Sequence, residues 1–324
     1  DVYKRQENVT KKMQFDNTYY QQDWYLSAVN MYSILPVWDV SLSVDFQYNK
    51  LNAVMRGVGT PFTFPQRYTT WAALATALNL GKWKLQADVL GTFVIEKVRN
   101  NVEAPDKSEF SPALIVGYKP FSNQDLNLRA FYKRIFRLPT FNDLYYAQIG
   151  FSQLNPEFTN QFNIGGSYQK TFKTGMIDRI ALQMDVYYAA ITDKIIAAPT
   201  GSSFRWMMTN MGKVESKGVD VSTAVSGHVG LLKLHTNLAY SFTKAQDFTK
   251  INGKKLSSYG DQIPYTPWHS GSVIAGAEYG TWALNYSFIY VGERYNGAVN
   301  NIPRNYVEPW YTCLLYTSDA ADEA

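Results

Sequence analysis

Val40-Ser41-Leu42-Ser43-Val44-Asp45-Phe46-Gln47-Tyr48 alternates apolar and polar side chains residue by residue. In an extended strand successive side chains leave opposite faces. Val40, Leu42, Val44, Phe46 and Tyr48 therefore share one surface, and Ser41, Ser43, Asp45 and Gln47 the other. On a helix the same residues would scatter around the axis. The pattern recurs downstream. Trp83, Leu85, Ala87, Val89, Gly91, Phe93 and Ile95 oppose Lys84, Gln86, Asp88 and Glu96. Leu126, Leu128, Ala130 and Tyr132 oppose Asn127, Arg129 and Lys133, and Ile180, Leu182, Met184, Val186 and Tyr188 oppose Gln183 and Asp185. Leu234, Thr236, Leu238, Tyr240 and Phe242 face away from His235, Asn237 and Ser241; Trp282, Leu284, Tyr286, Phe288 and Tyr290 oppose Asn285 and Ser287. About a dozen such strands are expected, with no amphipathic helix.

These runs reach roughly 10–16 residues, against a usual strand length of about five or six. A tilted strand crosses a bilayer in about 9–11 residues. Trp83 and Trp282 open their strands while Tyr48, Tyr132, Tyr188 and Tyr290 lie towards the opposite ends, as two interfacial girdles require. The connections sort as well. Short turns near 34–39, 81–82, 120–125, 173–178, 228–231 and 280–281 alternate with long segments at 53–69, 99–112, 137–157, 197–210, 248–265 and 296–305. Outer-membrane barrels keep short turns on the periplasmic side and long loops outside. The expected fold is all-β, a transmembrane antiparallel β-barrel. A charge at the bilayer midplane on the lipid face costs up to about 2–4 kcal/mol. Asp45, Asp88, Arg129, Asp185 and Asp220 are therefore assigned to a polar lumen.

The composition fits. Of 324 residues 46% are hydrophobic and 15% aromatic, with 24 Tyr and 8 Trp, but only 18% are charged. No stretch approaches the roughly 18 apolar residues of a membrane helix. The net charge of +4 is spread along the chain, with no basic block suited to nucleic acid. Asp1-Val2-Tyr3-Lys4-Arg5-Gln6 and the stretch from Cys313 to Ala324 resemble translated sequencing adapters, so residues 1–6 and 313–324 are expected to be scars around a partial barrel over 7–312. The single cysteine, Cys313, then falls outside the protein proper, which leaves no thiol chemistry. His228, His235 and His269 stand apart from one another without metal-ligand spacing. No cofactor, resident metal or enzymatic activity is expected.

Four blocks carry a family resemblance. They are Phe136-Arg137-Leu138-Pro139-Thr140-Phe141-Asn142-Asp143-Leu144-Tyr145-Tyr146, followed by Leu154-Asn155-Pro156-Glu157; Ile191-Thr192-Asp193-Lys194-Ile195-Ile196 with Pro199; Asn210-Met211-Gly212-Lys213-Val214-Glu215-Ser216-Lys217-Gly218-Val219-Asp220; and Ile263-Pro264-Tyr265-Thr266-Pro267-Trp268-His269. In this order and spacing they resemble the barrel of TonB-dependent outer-membrane receptors, especially of Bacteroidetes-type bacteria. Asp220 stands where that family usually has Glu, and the stretch before Phe136 matches only in general pattern.

The resemblance implies a 22-stranded barrel in the outer membrane of a Gram-negative bacterium, of which about 12–13 strands are present. It also implies an N-terminal plug that this sequence lacks, and import of a large scarce solute of siderophore, cobalamin or glycan class. The implied partners are outer-membrane lipid, the plug, the inner-membrane TonB complex acting through the missing N-terminal region, and an outer-surface lipoprotein. Local chemistry gives the block residues structural roles. Pro139 and Asn142 shape a strand exit, Pro264 and Pro267 suit a strand entry, and Gly218 permits a bulge or a close approach. Arg137, Asp143, Pro156, Glu157, Asp193 and Tyr265 are placed with them as structural. Candidate ligand contacts are the loop residues Arg205, Trp206, Tyr145 and Tyr146, with Phe204 and Phe151 beside them. Two alternatives remain at this stage, a passive porin-like or structural outer-membrane barrel and a secreted β protein such as a lectin.

Overall fold

The computed structural model describes residues 3–6, 15–56, 62–146, 150–200, 205–251 and 253–319. The alternating segments become strands of one antiparallel sheet whose neighbours follow chain order. They are β1 (Tyr3–Gln6), β2 (Phe15–Leu35), β3 (Trp38–Arg56), β4 (Gln66–Leu80), β5 (Trp83–Lys97), β6 (Lys107–Tyr118) and β7 (Asp125–Arg137). After a one-turn helix, α1 (Phe141–Tyr145), come β8 (Glu157–Thr171), β9 (Ile177–Thr200), β10 (Arg205–Val229), β11 (Leu232–Asp247), β12 (His269–Tyr279), β13 (Trp282–Val291) and β14 (Trp310–Asp319). Among the described residues the sheet has 14 strands, against the 12–13 expected, and it does not close on itself.

Register makes the faces continuous. Directly paired residues in an antiparallel ladder share a face. Leu42 pairs with Leu74, which pairs with Val89, and Leu182 pairs with Thr223, then Leu238, Val273 and Phe288. This apolar surface stays exposed, with Leu74 57% and Ile164 71% accessible, which suits lipid and not water. Short turns at one rim use left-handed glycines (Gly81, Gly230 and Gly280, φ near +60°) that a side chain would strain. Trp83 stacks on Tyr118 at 4.3 Å at that rim, and Tyr48–Tyr68 (5.0 Å) and Tyr132–Phe162 (4.9 Å) lie towards the other.

Two expectations change. Residues 197–210 are not a loop throughout, because β9 runs to Thr200 and β10 starts at Arg205, so this hairpin stands well above a bilayer-length strand. The 137–157 segment contains α1, too short to show a helical period. Tyr3–Gln6 pairs with Phe15–Thr18, and β14 passes through Cys313, which pairs with Phe288.

Candidate functional site

Side chains converge at the long-loop rim. Thr140 begins α1 with a reciprocal cap: its hydroxyl accepts the Asp143 N–H (3.2 Å) and the Asp143 carboxylate accepts the Thr140 N–H (2.8 Å). This stabilises a turn that has almost no helical length of its own. Phe141, Leu144 and Tyr145 then enter a cluster with Leu51, Phe62, Ala104, Leu154 and Ile195. The Tyr145 hydroxyl accepts the Ala104 N–H at 3.1 Å, and burial pushes its pKa up to about 12.

Arg67 ties α1 to the wall. It pairs with the buried Glu96 on β5, donates to the Pro139 carbonyl at 2.8 Å and lies over the Phe141 ring at 5.0 Å. Gln21, Asn49, Arg67, Thr140, Phe141 and Asn142 line a cleft of about 340 Å³ beside it. A second cleft of about 240 Å³ is lined by Phe62, Asn101, Leu144, Tyr146 and Phe151 among others.

The sequence blocks meet at this rim through polar contacts. Arg137 lies 3.7 Å from the Asp143 carboxylate and 3.2 Å from that of Glu157, which also accepts the Ile195 N–H at 3.1 Å. Asn210 donates to the carbonyls of Asn155 (3.0 Å) and Asp193 (2.7 Å) and accepts the Asn155 N–H (2.8 Å). Asp193 itself has φ +53°. Pro139 sits between β7 and α1, and Pro156 directly precedes β8. Pro264 and Pro267 precede β12, with Tyr265 at φ +59° donating its N–H to the Tyr295 carbonyl at 2.7 Å. Around Gly218 the register is unbroken. The space its Cβ would fill is taken by the Tyr187 ring and the Phe242 carbonyl, so it serves close approach and not a bulge.

Register also places the five charged strand residues on one face. Asp45 pairs with Trp71; four residues further along β4, Ala75 pairs with Asp88. Arg129 pairs with Gly165, Gly165 with Asp185, Asp185 with Asp220 and Asp220 with Ser241. Because Gly165 has no side chain, Arg129 reaches across a whole strand to Asp185. Its terminal nitrogen lies 2.7 and 2.6 Å from the two carboxylate oxygens, and Gln183 adds a donor at 2.9 Å. Asp220 accepts the Ser241 hydroxyl at 2.6 Å. Among the described residues Asp88 has no such partner. A cleft of about 500 Å³ on this face is lined by Ser167, Gln183, Ser222, Asn237 and Ser272 among others.

Of the proposed ligand contacts, Tyr145 is 6% exposed and its ring is part of the packed cluster, while Tyr146 is half-buried beside the smaller cleft. Arg205 and Trp206 stand at the head of β10, and their side chains lie outside the described residues. Sequence reasoning overlooked Arg67 and Glu96, which carry no motif. Gly165-Gly166 in mid-strand was an available signal, since glycine there weakens a strand unless something approaches closely.

The family model described as TonB dependent receptor-like, beta-barrel, matches residues 3–313. Among solved structures the copper transporter OprC superposes with a TM-score of 0.71 at 13% identity, over 95% of this chain and 50% of its own. The ferric citrate transporter FecA gives 0.66 at 13%, over 94% and 47%. The ferric yersiniabactin uptake receptor FyuA from Yersinia pestis gives 0.58 at 16%, over 96% and 48%. The chain thus spans about half the length of these structures. It belongs to the TonB-dependent receptor-like β-barrel family, whose members are outer-membrane transporters of Gram-negative bacteria and not enzymes.

Proposed function

We propose that this chain forms part of the wall and outer rim of an active outer-membrane importer. The importer takes a large scarce solute of siderophore, cobalamin or glycan class, with energy from the inner-membrane TonB complex. The observation that carries this is the rim itself. Blocks far apart in sequence are cross-tied by Arg137, Glu157 and Asn210, and α1 is fastened over the lumen face by Arg67. A passive pore has no need of such a braced, cleft-bearing rim. Neighbours of the same fold are described as carriers of copper, ferric citrate and ferric yersiniabactin, which favours a metal chelate within the wider class.

In this reading Tyr146, with Arg205 and Trp206 on the β9–β10 hairpin, contacts the solute, while Tyr145 holds α1 in place. Asp45, Asp88, Arg129, Asp185 and Asp220 face a plug supplied by the same gene, and an outer-surface lipoprotein is a further candidate partner. The deciding experiment is uptake of labelled ferric chelates, cobalamin and oligosaccharides by cells with and without the gene, in the presence and absence of functional TonB. Gene-dependent uptake that stops without TonB supports active import. Gene-dependent uptake that persists without TonB would identify a passive pore.

A further inference from the structure

We propose that the lipid-facing side of β10 and β11, just beyond their apolar runs on the long-loop side, binds the phosphate-bearing headgroup of an outer-leaflet lipid through Lys217 and Lys244. This rests on the outer-membrane barrel described above. The outward residues of β10 are Val225, Thr223, Val221 and Val219, and the next outward residue is Lys217. On β11 they are Leu234, Thr236, Leu238, Tyr240 and Phe242, and the next is Lys244. Val219 to Val225, extended through Gly227 and Val229, runs about 33 Å along the strand, or about 25 Å of height at the usual tilt, which matches the apolar band of such barrels. Both ammonium groups therefore leave the wall at headgroup depth.

Lys217 and Lys244 are direct cross-strand partners. Two like charges in that position repel and destabilise the ladder. The nearest carboxylate along the same face, Glu215, is engaged by Lys213 at 2.5 Å. Among the described residues neither Lys217 nor Lys244 has an acidic partner. Lys244 instead lies 5.9 Å from the centre of the Trp268 ring, and Tyr188 is the other cross-strand partner of Lys217. Two unneutralised ammonium groups flanked by Trp268 and Tyr188, at the boundary of an apolar band, complement an anionic headgroup whose acyl chains lie on Val219, Val221 and Leu238. A phosphate between them turns the repulsion into two charge-assisted hydrogen bonds.

The test uses the full-length protein, purified in detergent, delipidated and titrated with phosphatidic acid or with phosphatidylcholine of the same acyl chains. Retained lipid is counted by native mass spectrometry. Lys217→Gln and Lys244→Gln should each weaken phosphatidic acid retention about fivefold, the usual effect of one cation at a membrane surface. Phosphatidylcholine retention should not change. Lys133→Gln makes the same charge change on the opposite face of β7 and should leave both lipids unaffected. For the unaltered protein, added salt should release phosphatidic acid selectively, a result independent of how any variant assembles. Equal loss with Lys133→Gln, or no loss with the Lys217 and Lys244 variants, would overturn the site. Full competition by inorganic phosphate would overturn the lipid assignment. Failure to retain either lipid would count instead against the membrane belt.

Discussion

Replacing Gly165 by Ala should break a contact made by two other residues. A Cβ at this position would overlap the Asp185 Oδ1 and stand 2.8 Å from the Asp185 Cγ and from the Met184 carbonyl. The carboxylate must swing away, and the two short contacts from Arg129 go with it. Net hydrogen bonds to charged groups are worth about 1.5–3 kcal/mol each. The Arg129 side chain is 44% exposed, so solvent replaces much of this, leaving about 1–2 kcal/mol for the pair. The remaining approach to the Met184 carbonyl adds about 1 kcal/mol of strain. Gly165→Ala should therefore cost about 2–3 kcal/mol in an otherwise unaltered barrel, and only about 1 kcal/mol when Asp185 is already Ala. Urea unfolding in detergent micelles, followed by tryptophan fluorescence and by heat-modifiable electrophoretic mobility, measures all four corners of this cycle. An equal cost of Gly165→Ala in both backgrounds would refute the reasoning, since the glycine would then serve the backbone and not the ion pair.

Three further outcomes are expected. Leu238→Arg puts a charge on the lipid face and should cost about 2–4 kcal/mol if near the midplane, whereas Asn237→Arg, one residue away on the opposite face, should assemble normally; the folded fraction in outer-membrane preparations separates them. Tyr145→Phe leaves the Ala104 N–H without its acceptor and should loosen α1 by about 1–2 kcal/mol, seen as faster proteolysis within residues 141–154. The Tyr145 hydroxyl is held protonated up to about 12, against 10.0 when free, so its contribution is complete below pH 10 and is lost as pH rises through 12. Protection of that loop should fall over this interval in the unaltered protein, and this part of the fall should vanish in Tyr145→Phe. Asn210→Ala removes the bridge between Asn155 and Asp193 and should raise amide exchange at Asn155 while leaving mid-strand amides of β8 protected.

Period-two patterning made the strands legible, because face assignment in a β-strand depends only on position parity. Membrane placement followed from strand length and loop sorting, both one-dimensional properties. Loop interiors were harder to read. The hairpin of β9 and β10 continues past the membrane through residues of mixed polarity, where pairing and not lipid decides the extended state. Helix α1 is held by Thr140, Asp143 and a distant arginine, and leaves no periodic trace. Tyr145 read as an exposed loop aromatic because nothing local reveals that Ala104 and Leu51 will enclose it.

The sequence by itself determined the faces of the sheet, the two rims, and the single face that Asp45, Asp88, Arg129, Asp185 and Asp220 share. Those follow from alternation and from the cost of placing charge in lipid. Only the tertiary structure decided which residues meet. Arg129 reaches Asp185 because Gly165 leaves the path open, and Arg67 holds α1 because β4 and β5 bring Glu96 beside it. Contacts of this kind depend on cross-strand register and on loops folding back over the rim, and both join positions that share no local pattern.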